Sequence, residues 1–314
     1  MANVSTPIDF DRLKLGDAAS YDDVAADFEL FSGRLTTPLV RRMVSLALPA
    51  PSERVLDIGT GTGQVALEVA ASVLPGGKVI GADLSAGMLR AARIRAAARG
   101  LAENAEFCRM DGEDLGFADG SFDLVLSLFA LLHFPKPAAA TREMFRVLRP
   151  GGRLVIAVGS PAPLFSLSFF AQGFKHLYRL ELQRRGKLLV APRFLDDLVR
   201  KHFPEPVSDA EGSIAHQGFN RTHNVLRIIR DSKFTDIKTY WYGHEPRLET
   251  IEEFWSVQST FSSFARKRLA NVSKDRLSAL QREFFDTCGR VRGNGGELRY
   301  PFAGYFICAR RPRS

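Results

Sequence analysis

The chain has 314 residues, of which 45% are hydrophobic and 25% charged, and this composition excludes a disordered or low-complexity chain. The net charge of +8 lies in residues 161–314, where 26 basic residues stand against 16 acidic ones. This excess fits plain solubility, or an anionic small molecule or acidic carrier protein that docks on this half. The three cysteines, Cys108, Cys288 and Cys308, lack zinc-ligand spacing, so we expect no metal site.

Residues 1–50 lack the basic-then-apolar pattern of an export signal, so we expect a cytoplasmic protein. We predict that this segment forms part of a helical cap. Residues 51–160 then alternate short apolar runs with helical patterns, which is typical of β-α-β units and a parallel sheet. The predicted strands are 54–59, 78–84, 105–111, 122–129 and 153–159, and the predicted helices are about 63–73, 86–99 and 136–148.

Residues 161–220 form an insertion rich in aromatic residues, which we interpret as a helical lid over a substrate. Leu167, Phe170, Phe174 and Leu177 recur in it at helical spacing. The stretch 154–174 contains no charged residue, but "GSPAP" at 159–163 interrupts it. We therefore expect no membrane span.

Residues 221–314 return to the α/β pattern. A helix at about 223–233 and a strand at 236–243 precede a second helical insertion, 249–290, and a last strand at 300–310. We predict one α/β domain with a core at 51–160 and 221–314. Its helical cap comes from the N-terminal segment and the two insertions.

The segment "RVLDIGTGTGQVALEVA" (54–70) places a glycine loop between a strand and a helix. Such a loop presents bare backbone N–H groups to a ligand at a helix N-terminus. The dinucleotide pattern G-x-G-x-x-G would require a third glycine where Gln64 stands, which disfavours an NAD-dependent enzyme. Asp57, two residues before the first glycine, suits a cationic ligand such as an ammonium group.

Three further segments, together with the glycine loop, extend this observation. "LDIGTGTGQ", "VIGADLSAGML", "CRMDGEDLGFADGSFDLVLSLFALLHF" and "EMFRVLRPGGRLVIA" resemble, in order and spacing, the motifs of class I S-adenosylmethionine (SAM)-dependent methyltransferases. The sequence most resembles the ubiquinone/menaquinone-biosynthesis and small-molecule group. The resemblance implies a Rossmann-like, doubly wound, mostly parallel seven-stranded sheet with an antiparallel last strand.

The resemblance also assigns roles to individual residues. It implies that Asp57 orients the methionine end of SAM, that Asp83 binds the ribose hydroxyls, and that Asp111 contacts the adenine amino group. The remaining residues that it implies in cofactor binding are Gly59, Thr60, Gly61, Gly63, Gln64, Leu84, Met88, Gly112 and Ser127.

His133, just after the fourth predicted strand, is the candidate general base, because histidine titrates near neutral pH. It could instead be a loop or packing residue. Tyr21 is the second candidate catalytic residue, because the resemblance implies that it lies in an N-terminal helix that closes over SAM; it could instead pack within the cap. We predict that Phe170 and Phe174 contact the substrate, although helix-to-sheet packing would produce the same stripe.

The predicted function is methyl transfer from SAM to a carbon or oxygen of a small hydrophobic or aromatic acceptor, which could also be anionic or carrier-bound. The alternative is a SAM-binding enzyme of the same fold that catalyses a cyclisation or decarboxylation without methyl transfer. A nucleic-acid methyltransferase is disfavoured, because the fourth strand leads into "SLFALLH" and not into the Asn/Asp-Pro-Pro-aromatic run of many base-amino methyltransferases.

Overall fold

A seven-stranded sheet forms the centre of the protein. The structure is a computed structural model, and it describes residues 9–159, 177–190, 194–204, 222–270 and 272–313. The strands in chain order are β1 (Arg54–Ile58), β2 (Lys78–Asp83), β3 (Ala105–Arg109), β4 (Phe122–Leu128), β5 (Leu148–Gly159), β6 (Leu188–Val190), β7 (Thr235–His244), β8 (Arg247–Leu248), β9 (Glu297–Arg299) and β10 (Phe302–Arg310).

The large sheet has the strand order β3-β2-β1-β4-β5-β10-β7. The first five strands of this order pair in parallel, and β10 pairs antiparallel with both β5 and β7. The predicted mostly parallel sheet with an antiparallel last strand is confirmed. Strand β5 begins at Leu148, earlier than predicted, because Leu148 already pairs with Phe122 before the ladder shifts at the Pro-Gly-Gly segment.

The described helices are α1 (Phe10–Asp22), α2 (Ala25–Leu35), α3 (Thr37–Ala47), α4 (Gln64–Ser72), α5 (Ala86–Ala98), α6 (Pro137–Val147), α7 (Phe194–His202), α8 (Thr222–Asp231), α9 (Ile251–Phe261), α10 (Ser263–Leu269) and α11 (Lys274–Gly293). A short 3₁₀-helix, Ala130–His133, follows β4, and residues 177–184 are also helical.

Helices cover both faces of the large sheet, which is why β1 and β4 are buried almost along their whole length. Apolar side chains of α3, α4 and α5 pack on one face, and those of α6 and α8 pack on the other. Helix α3 lies within the segment 1–50 that we assigned to the cap, yet Leu39 and Met43 are fully buried in the core of the sheet. The other predicted segment boundaries remain predictions.

A third buried cluster joins α2 to the second insertion and to α7. Leu35, Phe254 and Phe284 lie at its centre, each fully buried. Beside it, β6, β9 and β8 form a three-stranded sheet that the sequence did not predict, because strands of two or three residues carry no readable alternation. None of the described helices has the length and apolar character that crossing a membrane requires.

Helix α1 is fastened across the carboxyl ends of the parallel strands. At its C-terminus Asp22 Oδ1 accepts hydrogen bonds from Ser85 Oγ (2.6 Å) and from the backbone N–H of Gly87 (2.7 Å), at the start of α5. Ser85 itself caps α5, because its Oγ accepts from the N–H of Met88. These contacts place α1 over the strand ends where the predicted site lies.

Candidate active site

A cavity of about 520 Å³ lies between α1 and the carboxyl ends of the parallel strands. Open α/β sheets bind their ligands at this edge, and the volume suits small ligands. The predicted site residues on its wall are Tyr21, Asp57, Gly59, Thr60, Gly61, Gln64, Asp83, Leu84, Met88, Gly112 and His133. Other lining residues include Lys14, Asp17, Phe28, Met110, Phe134, Phe261, Tyr300 and Phe302.

The glycine loop packs tightly at two of its three glycines. Gly59 has φ +69°, and a Cβ on it would lie 2.1 Å from the Cβ of Ala130 in the 3₁₀-helix. Gly63 is not among the lining residues, and a Cβ there would lie 3.0 Å from Ala92 and Phe107. At Gly61 a Cβ would meet nothing within 4 Å. Gly63 therefore serves helix packing, while Gly61 leaves backbone exposed to the cavity.

Asp57 lines the cavity, and one of its carboxylate oxygens has no hydrogen-bond partner among the described residues. Its side chain is 1% exposed, and Oδ2 accepts a hydrogen bond from Thr60 Oγ1 at 2.7 Å. Oδ1 is buried and has no hydrogen-bond partner within the described ranges. Burial raises the pKa of Asp57 to about 7. A buried oxygen without a partner is costly, and a cationic ligand group would remove that cost.

Asp83, at the end of β2, is fixed by backbone donors. Oδ2 accepts from the N–H of Gly61 and Oδ1 from the N–H of Ser85, both at 2.9 Å. Burial raises the pKa of Asp83, although these hydrogen bonds oppose the rise. Each carboxylate oxygen can accept a second hydrogen bond. The geometry therefore suits a ligand with two adjacent hydroxyl groups.

Asp111 does not lie on the cavity wall. Its Oδ2 is 2.5 Å from Lys14 Nζ, which also lies 2.9 Å from Glu113 Oε2. Burial lowers the pKa of Lys14, but the two carboxylates outweigh it and raise the pKa overall. In place of the predicted contact between Asp111 and a ligand, the structure shows an ion pair that fastens α1 to the loop after β3. Lys14 lines the cavity and places a positive charge at this end of it.

Ser127 and Gln64 also differ from the expectation. Ser127 is fully buried, does not line the cavity, and donates its hydroxyl to the carbonyl of Ile58 at 2.9 Å, because the neighbouring strand provides that acceptor. Gln64 does line the cavity. Its amide nitrogen, however, donates to the carbonyl of Ser32 and to Thr37 Oγ1. Gln64 thus joins the start of α4 to the helices above it.

His133 belongs to a chain of polar contacts on the cavity wall. Its Nδ1 lies 2.9 Å from Asp17 Oδ2, and its Nε2 lies 3.4 Å from Tyr21 Oη. An ionised Asp17 requires the proton on Nδ1, which leaves Nε2 as an acceptor. Burial tends to raise the pKa of Asp17, but contacts with His133 and Lys267 outweigh it and hold that pKa well below the ordinary range.

Tyr21 is a hydrogen-bond donor at neutral pH and not a base. Burial raises the pKa of its phenol to about 12, with Asp17 contributing in the same direction. The Tyr21 and His133 rings meet edge to face, with centroids 5.6 Å apart. Of the two residues predicted to be catalytic, His133 is therefore the candidate proton acceptor.

Aromatic side chains continue from Tyr21 along the cavity. The ring centroids of Tyr21 and Phe28 are 6.3 Å apart, and those of Phe28 and Phe261 are 4.9 Å apart. Phe302 lies 5.3 Å from Phe261 and 4.9 Å from Tyr300. We call Phe28, Phe261, Tyr300 and Phe302 the aromatic wall. The substrate residues predicted from sequence, Phe170 and Phe174, lie outside the described residues.

The charged groups on the described wall are mostly acidic. Asp17, Asp57 and Asp83 line the cavity, and Lys14 is a cation among them, already paired with carboxylates. No basic residue of 161–314 is among the described lining residues, although Lys267 pairs with Asp17 and Arg266 lies against the Tyr21 ring behind the wall. The basic excess therefore gives no support to an anionic acceptor or an acidic carrier protein, and both stay predictions.

The family model and the sequence relatives both match methyltransferases. Residues 55–152 match a family described as a methyltransferase domain. The demethylmenaquinone methyltransferase of Thermus thermophilus is 37% identical over 194 residues, covering 59% of this chain and 83% of that protein. The ubiquinone/menaquinone biosynthesis C-methyltransferase UbiE of Pseudomonas putida is 34% identical over 224 residues, covering 68% of this chain and 85% of that protein.

Two solved structures share the fold. The YcgJ protein of Bacillus subtilis has a TM-score of 0.54 at 19% identity, covering 88% of this chain and 98% of that chain. The phosphoethanolamine N-methyltransferase 2 of Haemonchus contortus, in complex with SAM, also has a TM-score of 0.54 at 19% identity. It covers 99% of this chain and 61% of that chain.

The sheet order, the glycine loop and the acidic strand ends define a class I SAM-dependent methyltransferase, and its cofactor is SAM. The unpaired oxygen of Asp57 and the open backbone at Gly61 fit such a cofactor. The sequence relatives identify a smaller group of proteins than the fold does. The chain belongs to the ubiquinone/menaquinone biosynthesis methyltransferase family.

Proposed function

We propose that the protein methylates a ring carbon of a planar aromatic acceptor that carries a hydroxyl group, with His133 as the general base. The observation that carries this proposal is the contact between Asp17 and His133 Nδ1 at 2.9 Å, on the wall of the cavity that also contains the aromatic residues. This contact makes Nε2, which lies 3.4 Å from Tyr21 Oη, the nitrogen that would accept a proton from the acceptor.

The carboxylates of Asp57 and Asp83 would hold two neighbouring parts of the cofactor. The unpaired oxygen of Asp57 would meet the ammonium group of the methionine part, and Asp83 would accept hydrogen bonds from the ribose hydroxyls. Leu84, Met88 and Met110 provide an apolar surface on the same wall, suited to the adenine ring. When bound, SAM supplies an electrophilic methyl group on a positively charged sulfur.

The protein's own part of the chemistry is to raise the electron density of the acceptor. A neutral phenol or hydroquinol is a weak carbon nucleophile. When His133 Nε2 takes the hydroxyl proton, the negative charge spreads to the ring carbons next to the C–O bond. One of these carbons would take the methyl group as the methyl–sulfur bond breaks and S-adenosylhomocysteine forms, and the hydrogen on that carbon would then leave as a proton to water and restore aromaticity. A general base of this kind contributes about 10²–10⁴-fold.

The aromatic wall supports the acceptor class. Edge and face contacts from Phe28, Phe261 and Phe302 would hold a planar ring. The relatives also support an aromatic acceptor methylated on carbon, since one is a demethylmenaquinone methyltransferase and another is a C-methyltransferase. An oxidised quinone lacks the hydroxyl proton and is electron-poor, so we propose the reduced, hydroquinol form as the acceptor.

The test uses purified protein, SAM methyl-labelled with ¹³C, and a short-chain demethylmenaquinone in its reduced and oxidised forms. We expect a carbon-bound methyl group by NMR, formed only from the reduced form, with one S-adenosylhomocysteine per product. S-adenosylhomocysteine formed without a methylated product, or a methyl group on oxygen, would contradict the proposal. A product of altered ring structure without S-adenosylhomocysteine would favour the cyclising alternative.

The variants His133→Gln and Tyr21→Phe separate the base from its neighbour. We expect His133→Gln to lower kcat by about 10²-fold or more while the affinity for S-adenosylhomocysteine stays within about twofold. Tyr21→Phe keeps the ring that packs on His133 and Phe28 but removes a donor that lies 3.4 Å away, so its effect should be much smaller. A larger loss of kcat in Tyr21→Phe than in His133→Gln would assign the proton transfer to Tyr21.

A further inference from the structure

Two cations from the second insertion reach the residues around His133. Lys267 Nζ lies 2.5 Å from Asp17 Oδ1, the carboxylate oxygen that His133 does not use. The guanidinium of the preceding residue, Arg266, lies 4.2 Å from the centre of the Tyr21 ring. Both residues belong to α10, far in sequence from Asp17 and from His133.

We infer that Lys267 is a positioning residue of the general base, acting through Asp17 to hold the His133 imidazole in the neutral, Nδ1-protonated form. This inference rests on the proposed function, because it gives Lys267 a role in the proton transfer by His133. Nothing in the sequence motifs of residues 54–159 points to α10, whose contribution follows only from these contacts.

The geometry of Asp17 explains the orienting effect. Each of its two oxygens has a partner, with Lys267 on Oδ1 and His133 on Oδ2. The carboxylate is therefore held from both sides and cannot turn away from the imidazole. A rotated Asp17 would no longer select the Nδ1–H tautomer, and Nε2 would lose its role as the acceptor.

The helix that carries Lys267 is itself well anchored. Ser262 caps α10, because its Oγ accepts from the N–H of Ala265 at 3.0 Å, and it also donates to Asp196 of α7. Arg266 adds hydrogen bonds to the carbonyl of Thr260 (2.6 Å) and to Ser20 Oγ of α1 (3.2 Å). The position of Lys267 is thus fixed by packing and not by its contact with Asp17 alone.

The charge of Lys267 acts on the protonation of His133. The charged or titratable groups described around the imidazole are Asp17 and Tyr21 of α1, Asp83 of β2, and Arg266 and Lys267 of α10. The two carboxylates favour the imidazolium, and the cations disfavour it. Removing Lys267 leaves the charge of Asp17 less balanced, so the pH dependence of activity should change in a variant without this lysine.

The test measures kcat/KM against pH for Lys267→Met, Lys267→Arg and Lys274→Met. Lys274 is an exposed lysine at the start of the next helix, so its variant is a matched loss of one charge. We expect the acidic limb to move about 0.5 pH unit upward in Lys267→Met, a modest shift because the lysine side chain is 43% exposed. Lys267→Arg should restore the limb, and Lys274→Met should leave it in place.

A double-mutant cycle shows whether the effect passes through Asp17. In an Asp17→Asn background, Lys267→Met should shift the acidic limb clearly less than it does in the wild-type background. The inference is overturned if the acidic limb of the kcat/KM profile does not move in Lys267→Met and only kcat falls, or if Tm and S-adenosylhomocysteine affinity are lost instead. Lys267 would then have a structural role only. If His133→Gln retains full activity, the proposed function itself fails, and the two failures are therefore distinguishable.

Discussion

Cofactor affinity should depend on pH because of a single buried carboxylate. Asp57 is 1% exposed, its Oδ1 has no partner among the described residues, and burial raises its pKa to about 7. The ionised form binds the ammonium group, whereas the protonated form does not attract it. With that pKa, about nine-tenths of the molecules carry the charge at pH 8 and about one-tenth at pH 6.

We therefore predict that the Kd for S-adenosylhomocysteine rises about tenfold between pH 8 and pH 6, which corresponds to about 1.4 kcal/mol. Isothermal titration calorimetry at intervals of half a pH unit measures this directly. The slope should disappear in Asp57→Asn, whose Kd should be weak at every pH. It should persist in His133→Gln, because that residue is not assigned to the ammonium group.

Two results would refute this reasoning. A wild-type Kd that is constant from pH 6 to pH 8 would show that Asp57 is already ionised in the ligand-free protein. A slope that survives in Asp57→Asn would place the titration on another group. The first alternative would then be Asp83, whose pKa is also raised by burial.

Three further predictions concern stability and acceptor binding. The pKa of Asp57 is higher in the folded than in the unfolded protein, so the contribution of Asp57 to the free energy of unfolding declines as pH rises from about 4 to about 7. Calorimetry should show that ligand-free Asp57→Asn is more stable than the wild type by about 2–4 kcal/mol at pH 8 and little changed at pH 4. In urea unfolding, Gly59→Ala should lower the free energy of unfolding by about 2–4 kcal/mol, because the new Cβ would meet Ala130. Gly61→Ala should lower it by about 1 kcal/mol, and equal losses in the two variants would contradict the packing argument. Phe261→Ala should raise the acceptor KM about tenfold and leave S-adenosylhomocysteine affinity unchanged, and equal losses of both would indicate damage to the fold.

The core of the fold and the cofactor side of the site could be predicted because they depend on local signals. In a parallel sheet the carboxyl ends of adjacent strands meet at one edge, so Asp57 and Asp83 had to lie close to the same cavity. The glycine loop singled out Asp57, and the resemblance to class I methyltransferases singled out Asp83. Gly63 shows the limit of this reasoning, because the sequence pattern does not say whether a glycine touches a ligand or a neighbouring helix.

The acceptor side could not be predicted because its residues come together only through tertiary packing. Asp17, His133 and Lys267 lie on three separate elements, and no spacing in the sequence links them. Tyr300 and Phe302 look like ordinary residues of the last strand until β10 is inserted between β5 and β7. Asp111 was a reasonable ligand candidate, but the pattern could not reveal that Lys14 would pair with it.

The central claim is that His133, held by Asp17, removes a hydroxyl proton so that an aromatic carbon accepts the methyl group. The most direct measurement is single-turnover transfer from ¹³C-methyl SAM to the reduced demethylmenaquinone analogue, in wild type and in His133→Gln, with the product identified by NMR. We predict carbon methylation by the wild type and a rate at least about 10²-fold lower in the variant. Equal rates in the two proteins, with cofactor bound in both, would contradict the claim.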